Sequence, residues 1–132
     1  MTKLLSAIPL FLMVLVVYHL VIFWGSVAIL TTSLLSFNMI SGATWEVTGS
    51  DLLLGLGLAI LYVEILRSTW TGVTSVINHT LSTLLFVCFA IEFVTVSIAA
   101  NSTFFLLGLM SLIDAIAGFT ITIVASRKDI SL

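Results

Sequence analysis

Residues 104–126 read FFLLGLMSLIDAIAGFTITIVAS, a run interrupted by a single charged residue, Asp114, and followed at once by Arg127 and Lys128. About 20 predominantly apolar residues suffice to cross the hydrocarbon core of a bilayer as an α-helix. Three further stretches of comparable character lie at about residues 8–30, 51–67 and 79–100. The sequence therefore predicts four transmembrane helices.

The composition supports a membrane protein. The chain is 61% hydrophobic and 8% charged, with a mean hydropathy of +1.34, whereas a soluble domain is about one quarter charged. Four spans would use most of the 132 residues, so we expect residues 1–132 to form one integral membrane domain whose main partner is the lipid bilayer. Four scattered Lys and Arg residues form no basic patch for a nucleic acid.

The distribution of basic residues predicts the orientation of the four spans. Cytoplasmic loops carry an excess of Lys and Arg. With the amino terminus in the cytoplasm, every Lys and Arg falls on the cytoplasmic side. The charged residues of the outer loops are then Glu46 and Asp51 alone. We therefore expect an all-α, antiparallel four-helix bundle with both termini cytoplasmic, in a bacterial inner membrane. The four basic residues on which this depends are Lys3, Arg67, Arg127 and Lys128.

The longest connection, residues 31–50, is expected on the outer side. It contains turn-forming residues and Trp45, an aromatic residue of the kind found at membrane interfaces. The alternation of side chains around residues 44–48 is compatible with a short hairpin or with a segment lying flat on the outer leaflet.

Three ionisable side chains are predicted near the middle of the bilayer. At a rise of 1.5 Å per residue, Glu92 lies about 21 Å from the inner end of its stretch and Asp114 about 20 Å from Arg127. His19 of the first stretch comes out at a similar height. Charged side chains at this depth cost about 2.5–3.5 kcal/mol each on insertion scales, so they are expected to face the bundle interior.

Two interpretations of this predicted midplane group remain open. Asp114, Glu92 and His19 would form a proton or cation site, in which two nearby carboxyl groups share a proton and the imidazole relays it. Alternatively, a protonated carboxyl group donates a structural hydrogen bond between helices. A metal site is not expected, because no closely spaced His/Cys pair offers the convergent ligands that it needs, and no cofactor is expected.

Two further residues are assigned to the inner boundary. Glu64 precedes Arg67 by three positions, a spacing that places both on one helical face and predicts an interfacial ion pair. Alternatively, Glu64 lies at the entrance of a path along which ions move toward Glu92. His79, at the expected start of the third helix, is predicted to be solvated among the headgroups.

Small residues on two helices indicate close helix packing. On the fourth stretch they recur at intervals of three and four residues, which lets helix backbones approach closely. On the second stretch two small residues are separated by three positions. The predicted helix-packing seam consists of Gly108, Ser111, Ala115, Gly118 and Thr122, together with Gly55 and Ala59.

The length, the four-span plan and the local stretch Leu61-Tyr62-Val63-Glu64 resemble small four-helix bacterial inner-membrane proteins, including the phosphate-starvation-inducible type. Small multidrug exporters share the size and the four spans, but their essential Glu lies on the first helix, where this sequence offers His19. A nucleophile triad, a Gly-rich phosphate loop and a zinc spacing are all missing from the sequence, so an enzyme is not expected.

These observations favour an accessory or scaffold subunit. It would pack with partner helices or with copies of itself as a homo-oligomer, since a chain with short loops acts within the bilayer. A small proton- or cation-coupled transporter or channel that uses the midplane carboxyl groups is the alternative.

Overall fold

The structure, a computed structural model, describes residues 7–69 and 73–130; Lys3, one of the four basic residues used to orient the chain, lies outside these ranges. Within them the chain forms four α-helices, one β-hairpin and two short 3₁₀ helices. In chain order the elements are α1 (Phe11–Gly25), a 3₁₀ helix (Val27–Leu30), β1 (Ser33–Asn38), β2 (Thr44–Thr48), α2 (Gly49–Ser68), α3 (Val73–Thr95), a second 3₁₀ helix (Ser97–Ala99) and α4 (Ser102–Ile130).

Three helices of the described chain are long and apolar enough to cross a membrane: Gly49–Ser68 in α2, Ser75–Thr95 in α3 and Ser102–Lys128 in α4. Helix α1 is also apolar but has 15 residues, which gives a length of about 22 Å. The four predicted apolar helices are thus present as three long ones and one shorter one, and their lengths indicate an integral membrane protein.

The outer surface of the bundle is apolar, as expected for helices surrounded by lipid. Leu58, Ile91 and Ile116 each expose more than half of their surface, and Val94 exposes 81%. A helix of a water-soluble bundle would instead present polar residues on this face. The chain therefore places large apolar side chains outward and, as described below, several polar side chains inward.

Helix α1 is shorter than the predicted stretch of residues 8–30. It ends at Gly25 because Ser26 adopts a left-handed backbone conformation, with φ of 57°, which a helix does not continue. Residues 27–30 then form a 3₁₀ turn. Apolar composition alone does not report this break, because the residues on both sides of it are equally apolar.

Helix α2 begins two residues earlier than predicted. Its N-cap is Thr48, whose hydroxyl accepts a hydrogen bond from the N–H of Asp51. The Asp51 carboxylate accepts a hydrogen bond in return from the backbone N–H of Thr48, at 2.8 Å. This reciprocal arrangement is a capping box.

Helix α3 is displaced along the sequence from the predicted stretch of residues 79–100. It begins at Val73 and ends at Thr95. The first turns are rich in polar residues, which hydropathy assigns to an aqueous loop. Asn78 of this segment is instead buried against other helices, as are His79 and Ser82 just after it, so the polar segment belongs to the span.

The connection between α1 and α2 is a hairpin and not a helix, so the chain is mostly helical but not purely all-α. Strands β1 and β2 pair antiparallel, with Phe37 opposite Trp45 and Ser36 opposite Glu46. The predicted hairpin within residues 31–50 is therefore confirmed.

The directions of the helices place three basic residues at the same end of the bundle. The hydroxyl groups of Ser50 and Thr103, at the starts of α2 and α4, lie 2.7 Å apart, so these helices run in the same direction. The N–H of Leu10, at the start of α1, donates to Glu64 near the end of α2, so α1 runs the opposite way. We call one end the basic end and the other the hairpin end; the basic end carries Arg67, Arg127 and Lys128.

Candidate functional site

A group of buried polar side chains lies between α2, α3 and α4 in the half of the bundle nearer the basic end. Each exposes at most 7% of its surface. Burial of this many polar groups is costly unless they bond to each other or to a ligand. We call this group the polar cluster, and it consists of Glu64, Asn78, His79, Ser82, Ser111 and Asp114.

Glu64 is fully buried and joins three helices at the basic end. Its Oε2 accepts a hydrogen bond of 2.8 Å from the N–H of Leu10, one of the free donors at the start of α1. Its Oε1 accepts from Asn78 Nδ2 at 3.1 Å, and Asn78 also donates to the carbonyl oxygen of Ala7. The Nη1 atom of Arg67 lies 3.4 Å from Oε2. The Glu64 carboxylate therefore holds the start of α1 against α2 and α3.

His79 lies on α3 in close contact with α4. A β-carbon at Gly118 would collide with its imidazole ring, so only glycine leaves room for the ring at this position. The Nε2 atom of His79 lies 2.9 Å from the Ser75 hydroxyl. The prediction of a solvated histidine is wrong, because α3 begins six residues earlier and carries His79 into the helix interface.

Asp114, in the middle of α4, is almost completely buried. It faces Ser82 of α3, and Glu64 and Arg67 of α2 are close enough to act on its charge. Ser82 is the hydrogen-bonding neighbour of Asp114 on α3, but within residues 7–69 and 73–130 the Asp114 Oδ2 atom and the hydroxyl groups of Ser82 and Ser111 reach no partner with full hydrogen-bond geometry. Buried polar atoms nearly always have a partner, so this part of the polar cluster has the unsatisfied oxygen atoms that a water or a small cation would satisfy.

The three residues predicted to share one level are separated into two groups. Gly108 faces Phe89, and Gly118 faces His79, across the α3–α4 interface, which places Asp114 level with the part of α3 near Ser82. Glu92 lies ten residues further along α3, about 15 Å away along the axis. The error follows from the displaced boundaries of α3, whose last residue is only three positions beyond Glu92.

His19 and Glu92 do come together, at 3.1 Å between Nε2 and Oε2. The His19 Nδ1 atom lies 2.9 Å from the Leu15 carbonyl oxygen, which only accepts hydrogen bonds, so Nδ1 carries a hydrogen. An unprotonated Nε2 would then direct its lone pair at the Glu92 carboxylate.

An apolar layer separates the His19–Glu92 pair from the polar cluster. It consists of buried side chains that lie between the two polar groups along α1, α3 and α4. Each exposes no more than 1% of its surface, and the rings of Phe11 and Phe89 lie 6.0 Å apart. The members of this layer are Phe11, Val14, Phe89 and Leu107.

The small residues of α4 pack within the chain. Gly108 lies against Phe89 and Gly118 against His79, while Ser111 and Ala115 are buried. The Thr122 hydroxyl donates to the carbonyl oxygen of Gly118. On α2, in contrast, Gly55 has open space beside it and Ala59 is exposed, so these two small residues face outward.

The chemistry of the polar cluster is that of oxygen ligands. Within residues 7–69 and 73–130, no three His, Cys, Asp or Glu side chains converge as metal ligands.

No family model, curated protein or solved structure matches this chain. The arguments for function therefore rest on the geometry of the two polar groups.

Sequence reasoning singled out Asp114, Glu92 and His19 but missed several members of the polar cluster. Asn78 and Ser82 were missed because they read as part of an aqueous loop or as neutral helix residues. A helical-face analysis would have found them, since positions 75, 78, 79 and 82 recur at intervals of three and four residues on one face of α3.

Proposed function

We propose that this protein is a small proton- or cation-coupled transporter, in which Asp114 is the group that binds the transported ion. The observation that carries the proposal is the set of unsatisfied oxygen atoms around a buried carboxyl group in the middle of a membrane-spanning helix. Ionisable residues inside transmembrane segments mark ion and proton pathways by default.

The ligand class follows from the atoms available. A carboxylate and two hydroxyl groups suit a proton carried on the carboxyl group, or a small monovalent cation with oxygen ligands, because hard cations prefer oxygen atoms. Zinc and copper would require several nitrogen or sulfur ligands. We therefore propose H⁺ or a Na⁺-like ion as the cargo or the coupling ion.

The polar cluster and the His19–Glu92 pair provide two positions at which the ion binds. This arrangement supports a mechanism in which the binding site is exposed alternately to the two sides of the membrane. The polar cluster extends from Asp114 to Glu64 at the basic end, while His19 and Glu92 lie toward the hairpin end. The apolar layer closes the path between them. In this proposal the ion moves between Asp114 and the water at the basic end. It reaches the His19–Glu92 pair only when the apolar layer opens.

We propose an N-in, C-in orientation in a bacterial inner membrane, with all four helices contributing to the span. The clustering of Arg67, Arg127 and Lys128 at one end supports it through the positive-inside rule. Helix α1 would reach both headgroup regions with the help of residues 7–10 and the 3₁₀ turn at residues 27–30. Labelling of a Lys128→Cys variant by a membrane-impermeant maleimide tests it: inverted vesicles should react and intact cells should not.

Ion flux into proteoliposomes tests the transport proposal. Asp114→Asn keeps the size and polarity of the side chain but removes the titrating group, so pH-driven flux should fall to the level of protein-free vesicles. Glu46→Gln, the same change at an exposed hairpin position, is the matched control and should leave flux unchanged. Equal flux in wild type, Asp114→Asn and Glu92→Gln would contradict the proposal.

The outward-facing Gly55 and Ala59 favour a second candidate, an accessory subunit that packs against another membrane helix. A small-xxx-small pair with open space beside it permits close helix contact. Purification in a mild detergent distinguishes the two candidates. An accessory subunit should be recovered with a partner protein in fixed ratio, and Gly55→Ile should release that partner without unfolding the chain.

A further inference from the structure

The β-hairpin is amphipathic. In an antiparallel pair, residues directly opposite each other share a face. One face therefore carries the pairs Leu35–Val47 and Phe37–Trp45, and the other carries Ser36–Glu46 and Asn38–Thr44. The Thr44 hydroxyl donates to the side-chain oxygen of Asn38 on the polar face. We call these the apolar face and the polar face of the hairpin.

The base of the hairpin is fixed to the helical bundle. Strand β2 runs directly into α2, and the Thr48–Asp51 capping box sets the direction in which the chain enters the helix. A β-carbon at Gly49 would collide with the carbonyl oxygen of Ile29, so the 3₁₀ turn after α1 packs tightly against the start of α2. Both strands are thus held where they leave the bundle.

The apolar face of the hairpin is turned toward the bundle side. Val47, at the base of this face, is buried with 6% of its surface exposed. Farther from the base, Leu35, Phe37 and Trp45 each expose about half of their surface. The face that covers the bundle at its base therefore extends beyond the bundle toward the tip, where Ile40 is fully exposed.

We infer that the hairpin lies along the membrane–water interface, with its apolar face on the boundary between the headgroups and the acyl chains. Tryptophan and other aromatic residues concentrate at this level of a bilayer. Phe23 and Trp24, near the end of α1 at the hairpin end of the bundle, expose 83% and 78% of their surface. Phe37 and Trp45 are likewise exposed aromatic side chains at the hairpin end of the spans.

The chemistry of the hairpin fits a lipid interface better than bulk water or the hydrocarbon core. A two-stranded hairpin alone is at best marginally stable in water, and an exposed row of apolar side chains adds to that cost. Its two free edges carry unpaired backbone N–H and C=O groups, which do not occur in hydrocarbon. At the interface the edges and the polar face stay hydrated while the apolar face is buried in lipid.

Depth-dependent fluorescence quenching tests the inference on the full-length chain in phosphatidylcholine vesicles. The sequence has three tryptophans, so Trp24→Phe and Trp70→Phe leave Trp45 as the only reporter. The matched control carries Trp24→Phe, Trp45→Phe, Trp70→Phe and Ser36→Trp. Its single tryptophan lies on the polar face of the same hairpin, one residue from Phe37, the strand partner of Trp45. Circular dichroism verifies that both chains are folded.

The two reporters should respond in opposite ways. Lipids brominated near the top of the acyl chain should quench Trp45 several-fold more strongly than the reporter at position 36, and aqueous iodide should show the reverse order. Equal quenching of both reporters by iodide would mean that the hairpin stands free in water. Protection of Trp45 from both quenchers, lost on dilution with lipid, would mean that a second protein copy covers the face. Either result overturns the inference.

Discussion

Replacing Glu64 by glutamine perturbs the contacts that hold α1 at the basic end. The carboxylate accepts hydrogen bonds from the Leu10 N–H and from Asn78, and it pairs with Arg67. In Glu64→Gln one oxygen atom becomes an NH₂ group, which cannot accept from the donor that faces it. The negative charge opposite Arg67 is lost as well.

The expected cost can be derived from these contacts. A hydrogen bond to a charged group contributes about 1.5–3 kcal/mol, and leaving a buried donor without its acceptor costs about 1–3 kcal/mol. Removing one partner of a buried ion pair costs about 3–5 kcal/mol. Glutamine retains one carbonyl oxygen and the shape of the side chain, so we expect a loss near the lower end of these ranges, about 2–3 kcal/mol in the free energy of unfolding.

Reversible unfolding in mixed micelles of rising dodecyl sulfate fraction, followed by far-ultraviolet circular dichroism, measures this free energy. Glu46→Gln is the control, because Glu46 lies on the polar face of the hairpin and surface changes usually stay within about 0.5 kcal/mol. A Glu64→Gln protein as stable as this control would refute the role of Glu64 in joining α1 to the bundle.

Three further substitutions, one of them a control, test contacts within the bundle. Gly118→Val should destabilise the protein by about 1–3 kcal/mol through overpacking against His79, and Gly55→Val, at an outward-facing position of α2, should cost clearly less in the same micelle assay. Tyr18→Phe removes the hydroxyl group that donates to the Ile98 carbonyl oxygen at 2.8 Å and accepts from Asn101 Nδ2 at 2.7 Å, and it should cost about 1 kcal/mol; a change below the measurement error would show that these two bonds contribute nothing.

The sequence predicts those features of the fold that depend on lipid as a solvent. The presence of four apolar helices follows from hydropathy, because a bilayer requires long apolar stretches. The burial of Asp114 follows from the cost of placing its side chain against acyl chains. Both conclusions rest on a single property, the transfer of side chains from water to hydrocarbon.

The details that depend on contacts between helices were not predicted. The start of α3 at Val73 was missed because polar residues of its first turns, such as Asn78, are buried among other side chains, and hydropathy treats such residues as if they faced water. The separation of Glu92 from Asp114 is a consequence of that same boundary. The end of α1 at Gly25 depends on the backbone conformation of Ser26, which no compositional signal reports.

Infrared difference spectroscopy of the protein in lipid, recorded while the pH or the Na⁺ concentration is changed, tests the role of Asp114 most directly. A carboxyl group that binds an ion or a proton in a polar cluster should give a C=O stretching band that changes with the titration. This band should vanish in Asp114→Asn and persist in Glu46→Gln. Identical difference spectra for the wild type and Asp114→Asn would contradict the assignment of Asp114 as the ion-binding group.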